Sequence, residues 1–410
     1  GLGNNKDYVQ NTILYAIFDN DIMITQIACG DNHTIFLASD NKVYGVGLNT
    51  SKQLGIENII DLTIKEIEYF SSNSITITQI ACGANHTIFL ASDNKVYSCG
   101  NNTYGQLCLG FNSDSTLPQE ITYFSYLYIT ITQIACGSNH TIFLASDNKV
   151  YSCGNNDFGQ LGLNSTEVKI TEPTEIAFFT NNVITITQIA CGADYTIFLA
   201  NDNKVYSCGN NSNGQLGINS LIEENEPTEI AFFTDNEITI TQIACGSSHT
   251  YILTSDDDFY GFGNNSNQQL CIELAENQKE PKNITILSTK NITQIDCGKD
   301  GTIAYKSLPT WITSNEVKLS SNTFTLEALN YSYTTTTISY SLDLNGNNGI
   351  TLNSNQVEVD NLDLLGESGK NIIFTATDTY GYSTKIINIK KESEKFHDIY
   401  GTGKNTSGQL

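Results

Sequence analysis

"CGANHTIFLASDNKVYSCGNNTYGQL", residues Cys82–Leu107, decides the fold because the chain carries it several times over. Residues 133–156 repeat residues 79–102 with a single change, Ala84 becoming Ser138. The Cys-Gly pair recurs at Cys29, Cys82, Cys136, Cys191, Cys245 and Cys297, in steps of 53, 54, 55, 54 and 52 residues. So regular a period signals a repeat architecture, in which each unit buries its faces only against neighbours shaped like itself. Within a unit, "ITITQIACG" alternates apolar and polar residues with the period of two of a half-buried strand. "HTIFLAS" and "KVYSCG" are rich in β-branched and aromatic residues, and Asp-Asn between them reads as a two-residue hairpin. "EPTEIAFF" reads as an outer strand with Pro173 or Pro227 at its start, where no ladder donor is lost. Three or four strands per unit of about 54 residues make a propeller blade; no 3.6-residue apolar period supports a helical solenoid.

The run "QIACGANHTIFLASDNKVYSCGNNTYGQL", followed by Pro-x-x-Ile, resembles the regulator-of-chromosome-condensation repeat. Cys-Gly-x-x-His-Thr, Val-Tyr-x-x-Gly-x-Asn and Gly-Gln-Leu-Gly follow in fixed order, over residues 1–306 and 399–410. The resemblance implies an all-β chain built as a β-propeller of six to seven blades. It departs from the family where a large aromatic usually precedes the Gly of "YSCG"; here Val46, Cys99, Cys153, Cys208, Phe262 and Thr402 stand there. A differently packed inter-blade core is therefore expected. "GLGNNKDYVQ" and "YGTGKNTSGQL" at the two ends are versions of one half-blade. Either the ends meet in one ring, or the chain continues, or one molecule's end completes the next molecule's blade. The opening Gly1 fits a processed chain or a piece of a longer one.

After "DCGKDGTIAYKS" the Asp-Asn hairpin turn is missing, and about 90 residues precede "HDIYGTGKN". This reads as a domain inserted in a hairpin loop. The expected division is propeller repeats over 1–306, an inserted β-sandwich over 307–396, and a return strand with half-blade over 397–410. The insert holds the only Trp, Trp311, and several short alternating strands. Its "IIFTATDTYGYSTKIINI" resembles the last hairpin of immunoglobulin-like and cadherin-like modules.

Acids outnumber bases 44 to 20, a net charge of −24. Without a basic cluster this repels phosphate backbones, so nucleic acid is not an expected partner. No stretch approaches the roughly 20 apolar residues that span a bilayer, and no signal peptide opens the chain.

The candidate chemistry has scaffold explanations. His33, His86, His140 and His249 share one repeat position, taken elsewhere by Tyr195 and Gly301. Ligands in separate blades would stand far apart, so the expected role is hydrogen bonding to the blade's own turns. Among the eleven cysteines a bridge within a blade is disfavoured, because two strand spacings of about 9–10 Å separate Cys82 from Cys99. A bridge between adjacent blades stays open, and small buried core residues are the main reading. No Cys-x-x-Cys pair supports zinc. "SDDDF" (Ser255–Phe259) reads as a solvated turn. "DLNGNNG" (Asp343–Gly349) has its Gly one place late for a calcium loop, and Ser354 where a Glu ligand belongs. His397 lies at the insert boundary, and no nucleophile elbow or phosphate loop is present. Sequons at Asn85, Asn101 and Asn164 carry little weight in so Asn-rich a chain. No catalytic, cofactor or metal residue is assigned.

The expectation is a non-enzymatic surface or extracellular structural or binding protein without cofactor. Its partner would be protein, through self-association or another surface partner, and head-to-tail fibres are one form. The alternative is a cytoplasmic propeller scaffold or a nucleotide exchange factor for a small GTPase, as the family resemblance implies.

Overall fold

The computed structural model describes residues 22, 24–57, 60–272 and 275–285, and then the strands between residues 294 and 404. It has two compact units: Gly1–Lys290 with Ile295–Ile303, and Asn291–Gln294 with Ala304–Leu410.

The first unit is a series of four-stranded antiparallel sheets, each with its strands in chain order. Blade 1 comprises β1 (Ile24–Cys29), β2 (His33–Ala38), β3 (Val43–Leu48) and β4 (Ile60–Glu66), followed by α1 (Glu68–Ser72). Blade 2 comprises β5 (Ile77–Cys82), β6 (His86–Ala91), β7 (Val96–Gly100) and β8 (Ser115–Glu120), followed by α2 (Thr122–Tyr126). Blade 3 comprises β9 (Ile131–Cys136), β10 (His140–Ala145), β11 (Val150–Asn155) and β12 (Lys169–Glu175), followed by α3 (Ala177–Asn181). Blade 4 comprises β13 (Ile186–Cys191), β14 (Tyr195–Ala200), β15 (Val205–Gly209) and β16 (Glu224–Glu229), followed by α4 (Ala231–Asp235). Blade 5 comprises β17 (Ile240–Cys245), β18 (His249–Thr254), β19 (Phe259–Gly263) and β20 (Gln278–Asn283). A sixth repeat begins with β21 (Gln294–Cys297) paired to β22 (Thr302–Tyr305).

Period-two alternation explains why blades need neighbours. In β6 every residue is buried, because successive side chains leave through opposite faces of the sheet. Phe89 and Ala91 pack with Ile35, Val43 and Leu54 of blade 1, whereas Ile88 and Leu90 pack with Phe124, Ile131 and Phe143 toward blade 3. The same division repeats between blades 3 and 4 and between blades 4 and 5. Each core therefore lies between blades.

The first strands of successive blades touch and form the inner edges. A glutamine side chain takes the place of the missing ladder partner there. Gln26 accepts from the Ile80 N–H at 2.9 Å and donates to the Ile80 carbonyl at 3.3 Å. Gln133 does the same to Ile189 at 3.0 and 3.3 Å. An amide side chain offers the donor and acceptor of a peptide group, so it satisfies an edge that would otherwise be open.

Three details of the sequence reading change. Residues 177–181 of "EPTEIAFFT" form α3 rather than continuing the strand, and α1, α2 and α4 take the same place in their repeats. Their buried Phe70, Phe124, Phe179 and Phe233 supply the aromatic bulk absent before the Gly of "YSCG". Phe124 meets Phe143 at 4.9 Å and Tyr151 at 5.7 Å. Pro173 and Pro227 lie inside β12 and β16, at the register shifts opposite Ser152/Gly154 and Ser207/Gly209. A bulge on an outer strand needs no donor there, so proline costs no ladder bond. The Asp-Asn hairpin has a three-residue loop: the Ala91 N–H bonds the Lys95 carbonyl, and Asn94 adopts φ 68°. Asn tolerates that left-handed conformation, which forms the bulge of a three-residue hairpin.

Among the described residues the second unit contains three sheets. β23 (Thr310–Trp311) pairs with β25 (Ala328–Leu329). β24 (Thr323–Thr325) pairs with β28 (Gln356–Val359), which pairs with β27 (Ile350–Asn353). The third sheet runs β26 (Ser339–Asp343), β29 (Lys370–Asp378), β30 (Gly381–Ile389), β31 (Tyr400–Lys404). Tyr400–Lys404, assigned from sequence to the propeller, thus pairs with β30, the outer strand of the longest hairpin. An open hairpin edge accepts any extended segment that can complete its ladder.

Candidate functional site

The antiparallel order gives each blade two ends. The turn after the first strand and the long loop after the third lie at one end, joined by bonds such as Asn101 N–H to the Asn85 carbonyl at 2.8 Å. This end is called the loop face. The Asp-Asn hairpins and short helices lie at the other, joined by bonds such as Ser92 N–H to the Thr76 carbonyl at 2.8 Å. That end is called the hairpin face.

The repeated histidines bind across blades, not within them as expected from sequence. His86 Nε2 lies 3.1 Å from Thr141 Oγ1 of blade 3, and Thr141 gives its proton to the Gln106 carbonyl at 2.8 Å. With that proton committed, Nε2 is the donor. His33–Thr87–Gln53 and His140–Thr196–Gln160 repeat the relay. In blade 4 the Tyr195 hydroxyl donates to the His249 carbonyl and lies 3.1 Å from Thr250 Oγ1. The Gly of Cys-Gly makes room for the ring, since a Cβ on Gly83 would lie 2.0 Å from His86 Cε1. Burial holds His33 down to about 4, and His86 and His140 to about 3. These are neutral structural groups. Among the described residues no group of three or more His, Cys, Asp or Glu converges to hold a metal.

Cysteines fill both roles foreseen for them. Cys99 and Cys208 are buried, and each thiol donates across the blade junction to a carbonyl, Gln53 and Gln160, at 3.6 Å. Cys108 replaces a glycine of the repeat and forms a disulfide with Cys153 of blade 3, with Cα atoms 5.8 Å apart. At the matching places Gly55 and Gly162 face Cys99 and Cys208, at 3.1 and 3.2 Å from an added Cβ to Sγ. Blade 5 carries Cys271 at the same place; the bridge forms where such a cysteine faces Cys153 of the next blade.

On the loop face a repeated frame carries tips that are not repeated. Asn102 is fully buried; its Oδ1 accepts from Leu107 N–H at 2.9 Å, and its Nδ2 donates to the Phe111 and Ser113 carbonyls. Asn156 grips Leu161, Ser165 and Glu167 in the same way, and Asn211 grips Leu216, Ser220 and Ile222. All these bonds go to backbone, so they fix the loop path without constraining its side chains. Each loop is also tied to the next blade: Gly110 N–H to the Thr171 carbonyl, Asn164 to Asn225 and Asn219 to Lys279, each at 2.9 Å. The tips read "LGFNSD", "LNSTEV" and "INSLIE", over 109–114, 163–168 and 218–223. They expose Phe111, Val168, Leu221 and Ile222, the last by 71%.

A groove of about 320 Å³ opens between the loops of blades 3 and 4, lined by Asp157, Phe158, Val168 and Glu223 among others. Beside it, Asp194 stands where blades 1, 2, 3 and 5 have Asn or Ser. Burial raises its pKa, and the charge of Asp157 raises it further. Lys169 lies over the Tyr104 ring, 5.6 Å from its centre.

The sequence reading assigned no site residue, because it searched for catalytic and metal-ligating groups. The signal it passed over was loss of copying after "GQL". The segments 344–349 and His397 lie outside the described residues, as does the amino-terminal half-blade.

Successive four-stranded blades, locked by side-chain relays and bearing variable loops on one face, define a repeat β-propeller. The RCC1-like domain family matches residues 2–304, and the chain belongs to that family. It is 32% identical over 289 residues to the ultraviolet-B receptor UVR8 of Arabidopsis thaliana, covering 70% of this chain and 63% of that one. It is 34% identical over 310 residues to the probable E3 ubiquitin-protein ligase HERC4 of Rattus norvegicus, covering 63% and 29%. The chain thus spans less than two thirds of the length of either relative. Among solved structures, human WBSCR16 aligns with TM-score 0.62 at 25% identity, over 70% of this chain and 73% of that one. Prp20p of Saccharomyces cerevisiae aligns with TM-score 0.58 at 20% identity over 90% and 83%, a likeness of fold alone.

Proposed function

We propose that the chain is a non-enzymatic protein-binding propeller whose loop face is its docking surface. One observation carries this reading: in a chain of near-identical copies, the exposed tips after "GQL" differ from blade to blade while the asparagines that hold them do not. A rigid scaffold with variable loops is a common design of binding proteins, because preset loops lose little entropy on association. The relatives favour this scaffold alternative over the surface-fibre expectation, whose matching end segments, residues 1–10 and 400–410, lie outside the described residues apart from Tyr400–Lys404. The reading also retains a ring of six to seven blades and an immunoglobulin-like sandwich over 307–396. Particle images viewed down the axis count the one and reveal the other.

The function is tested by placing a photo-cross-linking amino acid at Phe111, Val168 or Leu221, and separately at Tyr126 or Val183 on the hairpin face. Protein captured from the native source at the first three positions and not at the last two is the expected result. Capture only from the hairpin face overturns the assignment.

A further inference from the structure

We infer that the loop face of blades 2–4 receives a basic, apolar-studded segment of a partner protein. The inference rests on the docking reading above and adds the chemistry of the partner.

Charge is the first argument. Loop residues 101–117, 155–171 and 210–226, with the turns 82–86, 136–140 and 191–195, contain seven acids and one base. The acids are Asp114, Asp157, Asp194, Glu167, Glu223, Glu224 and Glu226, and the base is Lys169. Lys169 is already placed over Tyr104. On the hairpin face three glutamates have lysine partners: Lys95–Glu120 at 3.2 Å, Lys149–Glu175 at 3.1 Å and Lys204–Glu229 at 3.0 Å. The loop face therefore presents carboxylates in surplus, and Asp194, whose pKa burial raises, is raised further by the charge of Asp157. A second copy of this chain would bring like charge against like, in a molecule of net charge −24. A Lys- or Arg-bearing segment would relieve it.

Apolar exposure is the second argument. Phe111, Val168, Leu221 and Ile222 project from three successive loops whose backbones are fixed to one another. Purely basic ligands would leave these groups in water. A segment that alternates basic with apolar side chains covers both sets.

The test uses the full chain and fluorescein-labelled synthetic peptides, read by anisotropy: a Lys/Leu peptide, a Lys/Ser peptide and a Glu/Leu peptide. The Lys/Leu peptide is expected to bind best, with affinity falling as salt rises. The charge variant D114N/D157N/E167Q/E223Q and the apolar variant F111S/V168S/L221S/I222S each weaken it by about tenfold or more. The hairpin-face variant Y126S/Y128S leaves it unchanged. All these side chains are exposed, and unchanged melting temperatures confirm intact folds. Equal binding of the Lys/Ser peptide, loss of binding in Y126S/Y128S, or no binding of the Lys/Leu peptide overturns the inference. If cross-linking from Phe111, Val168 and Leu221 still captures a protein while the Lys/Leu peptide fails, the partner chemistry falls and the docking face stands.

Discussion

The two faces of the propeller are built from the same repeats and have diverged unequally. On the hairpin face the copies keep their side chains together with their backbone. Lys149 and Glu175 pair, Thr180 donates to the same glutamate at 2.6 Å, and blade 4 repeats both contacts with Lys204, Thr234 and Glu229. Here the bonds run between side chains, so changing one residue strands its partner. On the loop face the side chains of Asn102, Asn156 and Asn211 bond only to backbone, and the tips are free to differ apart from Asp114, which accepts from the Asn102 N–H at 2.9 Å. The hairpin face departs from its pattern at Tyr126–Leu127–Tyr128, where other copies have Ser, Asn or acidic residues, with Val183 as the one further apolar residue. A frame that holds backbone by side chain permits variation; a frame that holds side chain by side chain resists it.

Acid breaks the shared frame beneath both faces and carries the largest expected effect. His33, His86 and His140 are depressed below their ordinary 6.5, so the folded chain binds fewer protons than the unfolded one below that pH. Their stabilisation is complete above pH 6.5 and is lost as pH falls toward 4 and 3. The slope is about 1.4 kcal/mol per histidine per pH unit. The Lys-paired glutamates, lowered from 4.5, add to the loss only below that value. Melting curves between pH 7 and about 4.5 should show the fall, and H86Q should reduce its slope.

Phe124→Ala comes next, at about 3–5 kcal/mol, because the ring is fully buried between two blades. Denaturant unfolding measures it, and a cost below 1 kcal/mol would mean the helix is not an inter-blade wedge. Cys108→Ser should lower stability by about 2–4 kcal/mol, and the difference from the parent chain should vanish under reducing conditions. Asn102→Ala separates frame from tip: it leaves Leu107 N–H and the two tip carbonyls without their side-chain partner, for about 1–3 kcal/mol. Exchange of amide hydrogens should accelerate over 107–113 and stay slow at the hairpin over 91–95. Lys149→Met is the smallest, under about 1 kcal/mol, as expected of an ion pair near solvent.

Much of the fold was readable from spacing. The period placed the blades, and the alternation in "HTIFLA" placed a strand buried on both sides. The helices were not readable, because five residues such as "AFFTN" lack the length to show a helical period. The histidine relay escaped because its partner lies about one repeat away, at Thr141 for His86. Two strand spacings argued against a disulfide within a blade, but the Cys108–Cys153 contact depends on how blades stack, and single-blade geometry does not contain that. The candidate site was visible as lost copying after "GQL", in residues that carry no catalytic chemistry and so drew no attention.

The most direct test exchanges one tip for another. Residues 109–114 of blade 2 are replaced by the sequence of residues 218–223 of blade 4, six for six, and binding of the partner captured at Phe111 is measured beside the melting temperature. The account predicts a nearly unchanged melting temperature, because the asparagine side chains hold backbone alone and the one tip side chain that touches the frame, Asp114 on the Asn102 N–H, is replaced by another carboxylate, and a loss of binding. Unfolding of the exchanged chain, or full binding by it, would contradict the claim that the copies are scaffold and the loops are the site.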